Sequence, residues 1–410
     1  MKSLTKKYYL YILIVLSSLT FYNPFGIISP QFGKLIFYSI CIISLIYAYR
    51  NGINLQKVRY PKVAYKMLIT GILLSIIMVV VFQNQSLYVT FIATLPYLFG
   101  YLVFYILMKF NIPKKKIERA IWIFCFIGMG VYIINMITFP NIILGVEKEN
   151  GYDMSRGIVR LSIRSLELIV LFFFYSINQW INTKNKIYIW LIILTTIFII
   201  LSVTRQYILL SIILGIISIL NKASLSKKII TASLCIIIYL FVLPQIPIYK
   251  TMVELSEEQA ERNKTEEDIR IKAWNFYIDE YQTNQITRIL GNGIPSIGNS
   301  NWGNEHGQIV DKNLGGNGCY MADVGWAGFY WEFGLIATIG LLIILLKSIL
   351  KKKSNNKQFL TYWCIFISVT SITSAPILFY HQIISISTVL YLIYGKEEDY
   401  SNHNFKLQQL

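Results

Sequence analysis

Charge is what this chain has least of. Only 14% of its 410 residues are charged, and hardly any of those interrupt the long apolar runs. With 55% hydrophobic residues and a mean hydropathy of +0.53, water cannot be its main solvent; lipid must be. Histidine is nearly missing, and no HExxH, CxxC or DxD-like cluster occurs in the polar stretches, so neither a metal nor another cofactor is expected. Four of the five cysteines, Cys41, Cys125, Cys235 and Cys364, lie in apolar runs and only Cys319 outside, so no disulfide framework is expected. The first apolar segment, YYLYILIVLSSLTFY behind Lys2, Lys6 and Lys7, lacks an A-x-A-like cleavage site and is read as a signal anchor. No internal repeat is visible, and no soluble domain is expected after the last apolar run.

What the chain does have is membrane spans. Runs of the required ~17–25 apolar residues fall near 8–24, 35–49, 67–82, 88–108, 120–139, 166–181, 187–203, 205–220, 229–245, 326–346, 359–379 and 381–395. The expected fold is therefore all-α and polytopic, with about twelve transmembrane helices. Basic clusters recur at Lys2/Lys6/Lys7, Arg50 to Lys66, Lys109 to Arg119, Lys184/Lys186, Lys222 to Lys228, Lys347 to Lys357 and Lys396. Alternation assigns those segments to the cytoplasm, as the positive-inside rule requires, with both termini there and a cytoplasmic tail at 396–410. The net charge of +17 is thereby explained by topology, and nucleic-acid binding is not expected.

The same count divides the chain into a bundle at 1–245, an extracytoplasmic loop domain at 246–325 between helices 9 and 10, and closing helices at 326–395. Two further outer segments are the loop 140–165 and the tight turn 203–206, where SVTRQ reverses an apolar run that has lysines at both ends. In the large loop, Trp274, Tyr277, Ile278 and Tyr281 recur at helical spacing. The glycine- and asparagine-rich stretch after it is expected to lack long regular elements and to present backbone N–H groups to a polar ligand.

Cation type differs between the two sides. The cytoplasmic clusters are mostly lysine, whereas seven of the ten arginines, Arg156, Arg160, Arg164, Arg205, Arg262, Arg270 and Arg288, fall in outer segments. Topology needs only positive charge. A guanidinium adds a planar fork that grips phosphate oxygens by two bonds. Arg156, Arg160 and Arg164 are four apart and are expected to stack on one face of a helix leading into a span. Together with Arg205 at the head of another helix, they fit a doubly negative group such as a lipid-linked diphosphate; pairing of Arg164 with Glu167 and snorkelling among headgroups is the plain alternative.

Displacing a diphosphate from a sugar carbon needs the departing charge stabilised and the incoming hydroxyl deprotonated. Asp323, beside Trp326, is the first candidate base, His306 the second and Glu305 the third. A helix N-cap is the plain reading of Asp323. Trp274, Trp302, Tyr320 and Trp326 are candidate sugar-stacking rings, although membrane-interface belts use the same residue types.

Together these parts resemble a family. The arginine in the TRQ turn, R-x-x-x-W at Arg270–Trp274, G-x-G at Gly291–Gly293 and an acid before E-x-G in ADVGWAGFYWEFGLIATIGLL look like the O-antigen and capsular or exopolysaccharide repeat-unit polymerases (Wzy-type), relatives of the O-antigen ligases. The resemblance implies a metal-independent membrane glycosyltransferase of the bacterial cytoplasmic membrane. It would move a glycan from undecaprenyl (polyprenyl) diphosphate to the non-reducing end of another lipid-linked repeat, with a chain-length regulator protein as a further partner. It also implies that Arg205 and Arg270 hold diphosphate and that Arg160 or Arg164 completes the cradle. Where ligases carry a histidine this chain has Asp323, which favours polymerase over ligase.

Other classes predict other patterns. A lipid-linked oligosaccharide flippase would line a central cavity with charges and need no large outer loop. A secondary transporter would show two halves with matching broken helices. A membrane acyltransferase would need a histidine near a span, for which only His381 is available.

Overall fold

The computed structural model describes residues 2–20, 23–25, 27–55, 58–145, 152–153, 160–161, 163–221, 245, 250, 253–254, 257, 261, 268–282, 284–314 and 321–396. Helices dominate it: α1 (Lys2–Leu19), α2 (Pro30–Asn51), α3 (Lys62–Phe82), α4 (Leu87–Phe110), α5 (Lys114–Ile137), α6 (Leu166–Thr183), α7 (Ile187–Leu201) and α8 (Arg205–Leu220). After them come the short α9 (Ile269–Asn275) and α10 (Gln285–Leu290), then α11 (Asn301–Leu314), α12 (Gly325–Leu350), α13 (Phe359–Thr370) and α14 (Tyr380–Tyr394). Five of them, α2 to α5 and α12, are long and apolar enough to cross a bilayer, and the chain is a multi-pass membrane protein. Every apolar run read from the sequence carries a helix except 229–245, of which all but residue 245 lies outside the described residues. The 359–379 run is the one that breaks. Hydroxyls of Thr370, Ser371 and Ser374 bond back to carbonyls a turn earlier, and Pro376 follows, so α13 stops at Thr370.

Helix ends sort into two poles. At the lysine pole, the Ile53 N–H donates to the Lys109 carbonyl, Asn182 to Asn355 O, Asn221 to the Tyr362 hydroxyl and Lys351 to Ile393 O. At the arginine pole, Thr20 donates to Gly145 O, Gln206 to Thr370 O and the Gly325 N–H to Ser374 O. Arg164, Arg205, Arg270 and Arg288 belong to this second pole, as do Lys34, Lys272 and Lys312.

The described residues just before α6 are not helical. Tyr152–Asp153 (β1) and Arg160–Leu161 (β2) pair antiparallel, with Asp153 opposite Arg160. The expected helical stack is therefore corrected at Arg160, which lies in β2, and at Arg164, which lies in a turn, while Arg156 falls outside the described residues. Four-residue spacing there coincides with Gly151, Gly157 and the β-branched Ile158–Val159, all poor helix formers.

One long helix is broken on purpose. Gly334 in α12 has φ +75°, and residues 291–294 are threaded against the break. The Asn292 and Gly293 N–H groups donate to the Trp331 and Glu332 carbonyls at 2.8 Å each, satisfying acceptors that an unbroken helix would have used itself. Gly291, at φ +88°, lies so close that a Cβ there would stand 2.3 Å from the Glu332 carbonyl oxygen. The G-x-G and E-x-G segments are thus one interlock. Gln85, after α3, fixes its far side: its side chain donates to Ile294 O and accepts from the Ser296 N–H and the Ser300 hydroxyl.

Two hydrophobic cores result. The larger fills the bundle. The smaller joins Ala273, Phe276, Tyr277, Trp302, Val310 and Leu314 of the loop to Val79 of α3 and Ala327 and Trp331 of α12, so the loop unit shares its core with the bundle. The glycine- and asparagine-rich stretch yields a helix of 14 residues, α11, contrary to expectation. Trp302, His306, Val310 and Leu314 form an i, i+4 stripe that buries one face, and Gly303 lets the helix press onto Ser296.

Candidate functional site at the arginine pole

The turn between α7 and α8 is tight because Val203 takes a left-handed conformation, φ +51°, and the Thr204 N–H donates to Ser202 Oγ. Arg205 is the first residue of α8 and half-buried. Its neighbour Gln206 donates to the Thr370 carbonyl at 3.0 Å, fastening the turn to the end of α13.

The loop reaches the same place. Asp268 caps α9 by accepting from the Arg270 N–H at 2.8 Å, and one turn later the Trp274 indole donates to Ile372 O at 3.0 Å. A π-helical turn, Phe276–Glu280, follows and shifts the buried face, so that Phe276 and Tyr277 point inward while Trp274 stays half-buried.

The third approach is the start of α12. Its first N–H groups, on Gly325 and Trp326, donate to the Ser374 and Ser371 carbonyls, and the Trp326 indole donates to Ser368 O at 2.9 Å. The cap position is Val324, and Asp323 closes a 3₁₀ turn one residue earlier, half-buried. The N-cap reading of Asp323 is therefore corrected, because carbonyls of the α13–α14 turn do that work. Three separated segments, Thr204–Gln206, Arg270–Trp274 and Asp323–Trp326, thus converge on residues 368–375.

Beneath them lies a carboxylate that the sequence offered only as a partner for Arg164. Glu167, 2% exposed in the first turn of α6, accepts on Oε1 from the Tyr207 hydroxyl of α8 at 3.1 Å and from Gln382 Nε2 of α14 at 2.5 Å. Its main-chain carbonyl accepts from the Trp363 indole of α13 at 2.9 Å. Ser165 Oγ, two residues earlier in the chain, and His381 Nδ1 and Gln382 Oε1 of α14 are buried without a hydrogen-bond partner. Arg164 is half-buried, and its charge bears on the His381 ring.

His306 stands elsewhere. It is 5% exposed, its Nδ1 is 3.1 Å from the Tyr281 hydroxyl, and its ring packs on Trp331 with centroids 4.8 Å apart. Trp302 lies parallel to Trp331, 7° between planes, and is itself buried. Burial pushes the His306 imidazole down to about 4, and burial with the nearby Glu305 carboxylate pushes the Tyr281 phenol up to about 12. Glu305, the residue before His306 on α11, is exposed. His306 and Trp302 are therefore held in an aromatic box within the loop core, apart from the convergence at 368–375.

Arg156 and Tyr320 lie outside the described residues, and of Arg160 only the backbone is described. Among the described residues, no group of three His, Cys, Asp or Glu gathers to hold a metal. Cys41, Cys125 and Cys364 are buried free thiols. No protein-family model matches the chain, and no curated protein matches it either. Glu167, Gln382 and Gln85 were not singled out by sequence reasoning as functional. Their one signal was polarity inside or beside apolar runs, SLELIV, FYHQII and FQNQSL.

Proposed function

We propose that the chain is a polysaccharide polymerase of the Wzy type. In this reading twelve spans, with 229–245 as the ninth, leave both termini cytoplasmic and the arginine pole at the outer face of the bacterial cytoplasmic membrane. The substrate is a polyprenyl-diphosphate-linked oligosaccharide. An acceptor hydroxyl oxygen bonds to the anomeric carbon of the donor glycan while the bond to the diphosphate oxygen breaks, its electron pair leaving with polyprenyl diphosphate. Arg205 and Arg270, with Arg164 nearby, neutralise the charge that builds on the departing diphosphate. Asp323 takes the proton of the acceptor hydroxyl. Trp274, half-buried and anchored through its indole N–H, presents a ring face to sugar, whereas Trp326 is buried in the bundle core and its indole fastens α12 to Ser368. The observation that carries the reading is the convergence of the turn arginine, the R-x-x-x-W helix and the Asp323–Trp326 segment on residues 368–375.

The test is reconstitution of the full chain in liposomes with a polyprenyl-diphosphate-linked repeat unit. Wild type should give a ladder of glycan lengths on a gel. Arg205→Lys should lose about 100-fold in rate while remaining in the membrane, because a point charge replaces a fork. Wild-type chain lengths in that variant would remove the diphosphate role.

One observation favours a second reading, a lipid-linked oligosaccharide flippase. Glu332 is 5% exposed within α12, beside the helix break, and its Oε2 has no partner. Buried acids at broken helices mark transport paths in membrane proteins. Movement of the lipid-linked repeat between leaflets without elongation would decide for it.

A further inference from the structure

The loop unit shows two kinds of exposed face. The outward side of α11 is polar: Asn301, Asn304, Glu305, Gln308 and Asp311 are all exposed, as expected of a helix in water. The outward side of α10 is not. Ile286 and Ile289, three apart on one face, are 50% and 49% exposed, while Thr287 is buried. Arg288 is tied back, its guanidinium donating to the Asp279 carbonyl at 3.3 Å.

Where α10 sits explains the difference. It packs on α12 and α3. A Cβ at Gly334 would meet the Ile289 carbonyl and Leu290, and one at Gly293 would meet Val79 and the Ser75 carbonyl. Gly334 lies more than two turns into α12 and Ser75 about two turns before the end of α3, which is ~10 Å of helix. Both helices are spans, and α3 exposes apolar side chains up to its end, at Ile77, Val81 and Phe82. The end of α10 and the G-x-G turn therefore stand below the last apolar residues that α3 exposes.

Irregular backbone is tolerated at such a depth only where protein satisfies it. Residues 291–294 meet that condition: they are buried, and the Gly291, Asn292 and Gly293 N–H groups donate to the Thr287, Trp331 and Glu332 carbonyls. The Asn292 amide donates to Gln282 Oε1 at 3.2 Å and to Trp331 O at 3.3 Å. Beyond the break, α12 carries its own exposed apolar stripe, Leu335, Ile339, Leu342 and Leu346, and the Ile289 backbone abuts Gly334, the residue before it.

We propose that α10 is a re-entrant wedge. Ile286 and Ile289 join the apolar belt of α3 and α12 and contact the acyl chains of the leaflet at the arginine pole, while α11 stands in water. The occupant is lipid because the face continues a surface that spans already turn to lipid. The wedge makes the seating of the G-x-G turn against the α12 break depend on the bilayer, whichever lipid-linked chemistry the chain performs.

The experiment places an encoded coumarin amino acid at position 286, 289 or 305 of the full chain in phosphatidylcholine/phosphatidylglycerol nanodiscs. Quenchers are phospholipids with nitroxide on an acyl chain, or aqueous iodide. Emission at 286 and 289 should be lost to the lipid nitroxides and kept in iodide, and the label at 305 should behave in the reverse way. Iodide quenching at 286 and 289 as strong as at 305 overturns the wedge. Protection from both quenchers overturns the lipid assignment and puts a second copy of the chain on that face. Two unlabelled variants give an independent reading, since an isoleucine exposed to water accepts aspartate with little change and one in hydrocarbon does not. Ile289→Asp should melt at a lower temperature in nanodiscs, with Ile289→Leu near wild type; equal melting of the two also overturns the wedge. None of these readouts involves turnover, so their failure and that of the polymerase reading are separate outcomes.

Discussion

His306 and Glu167 are both buried polar residues near one pole, yet their surroundings are opposite. The histidine is closed in: Tyr281 meets its nitrogen, and Trp302, Tyr281 and Trp331 cover its ring. The glutamate accepts from Tyr207 and Gln382, but the other side-chain polar atom of Gln382, its carbonyl oxygen, is buried without a hydrogen-bond partner. A closed polar group specifies packing. A buried polar atom left without a partner leaves capacity for something that arrives from outside. The contrast moves attention from the residue type that chemistry usually favours, histidine, to a carboxylate–amide pair that sequence reading passes over.

The largest expected effect tests the closed region. Trp331 is fully buried, donates to Tyr281 O at 2.6 Å and stacks on His306, Trp302 and Tyr281. Trp331→Ala should cost about 3–5 kcal/mol, as large aromatic truncations do. Tryptophan fluorescence during thermal melting should report the loss, and polymer yield should fall in proportion to folded protein only. A stable variant with dead chemistry would mean that the box touches substrate.

Much of the frame could be read from residues alone. Apolar runs of span length gave the helices, because a lipid solvent leaves the chain few other structures. The tight turn at Arg205 followed from lysines at both ends of 187–220. The site was less legible. Spacing by four suggested a helix through Arg156, Arg160 and Arg164, although glycines and β-branched residues there pointed elsewhere, and Arg160 lies in β2 and Arg164 in a turn instead. Gly and Asn content hid α11, whose four-residue stripe of Trp302, His306, Val310 and Leu314 was present all along. The π turn after α9 adds a residue to the helical count, so the face through Trp274 and Tyr281 was only partly right. Glu167 was invisible for a different reason. Its partners Tyr207 and Gln382 are 40 and 215 residues away, and only packing brings them together.

A middle-sized effect separates the two candidate bases. Asp323→Asn should lower turnover by about 100-fold, within the usual reach of general-base catalysis, with less effect on lipid retention. His306→Phe should keep the stack with Trp331, lose the contact to the Tyr281 hydroxyl, and leave the glycan ladder at wild-type length. A fully active Asp323→Asn alongside an inactive His306→Phe would reverse the comparison and make the box the reacting region.

The smallest effect is a pH window. Burial lowers the His306 pKa to about 4 from the ordinary 6.5, so the unfolded chain takes up a proton that the folded one refuses. The contribution to stability is fully present above pH ~6.5 and is lost as pH falls toward ~4. By pH 5.5 the loss should be about 1 kcal/mol, seen as a lower melting temperature of the loop unit. His306→Phe should remove that slope between pH 6.5 and 5.5, since no imidazole remains to titrate. A slope that persists in the variant would assign the acid sensitivity to the carboxylates and leave the histidine charged, and so hydrated, in the folded protein.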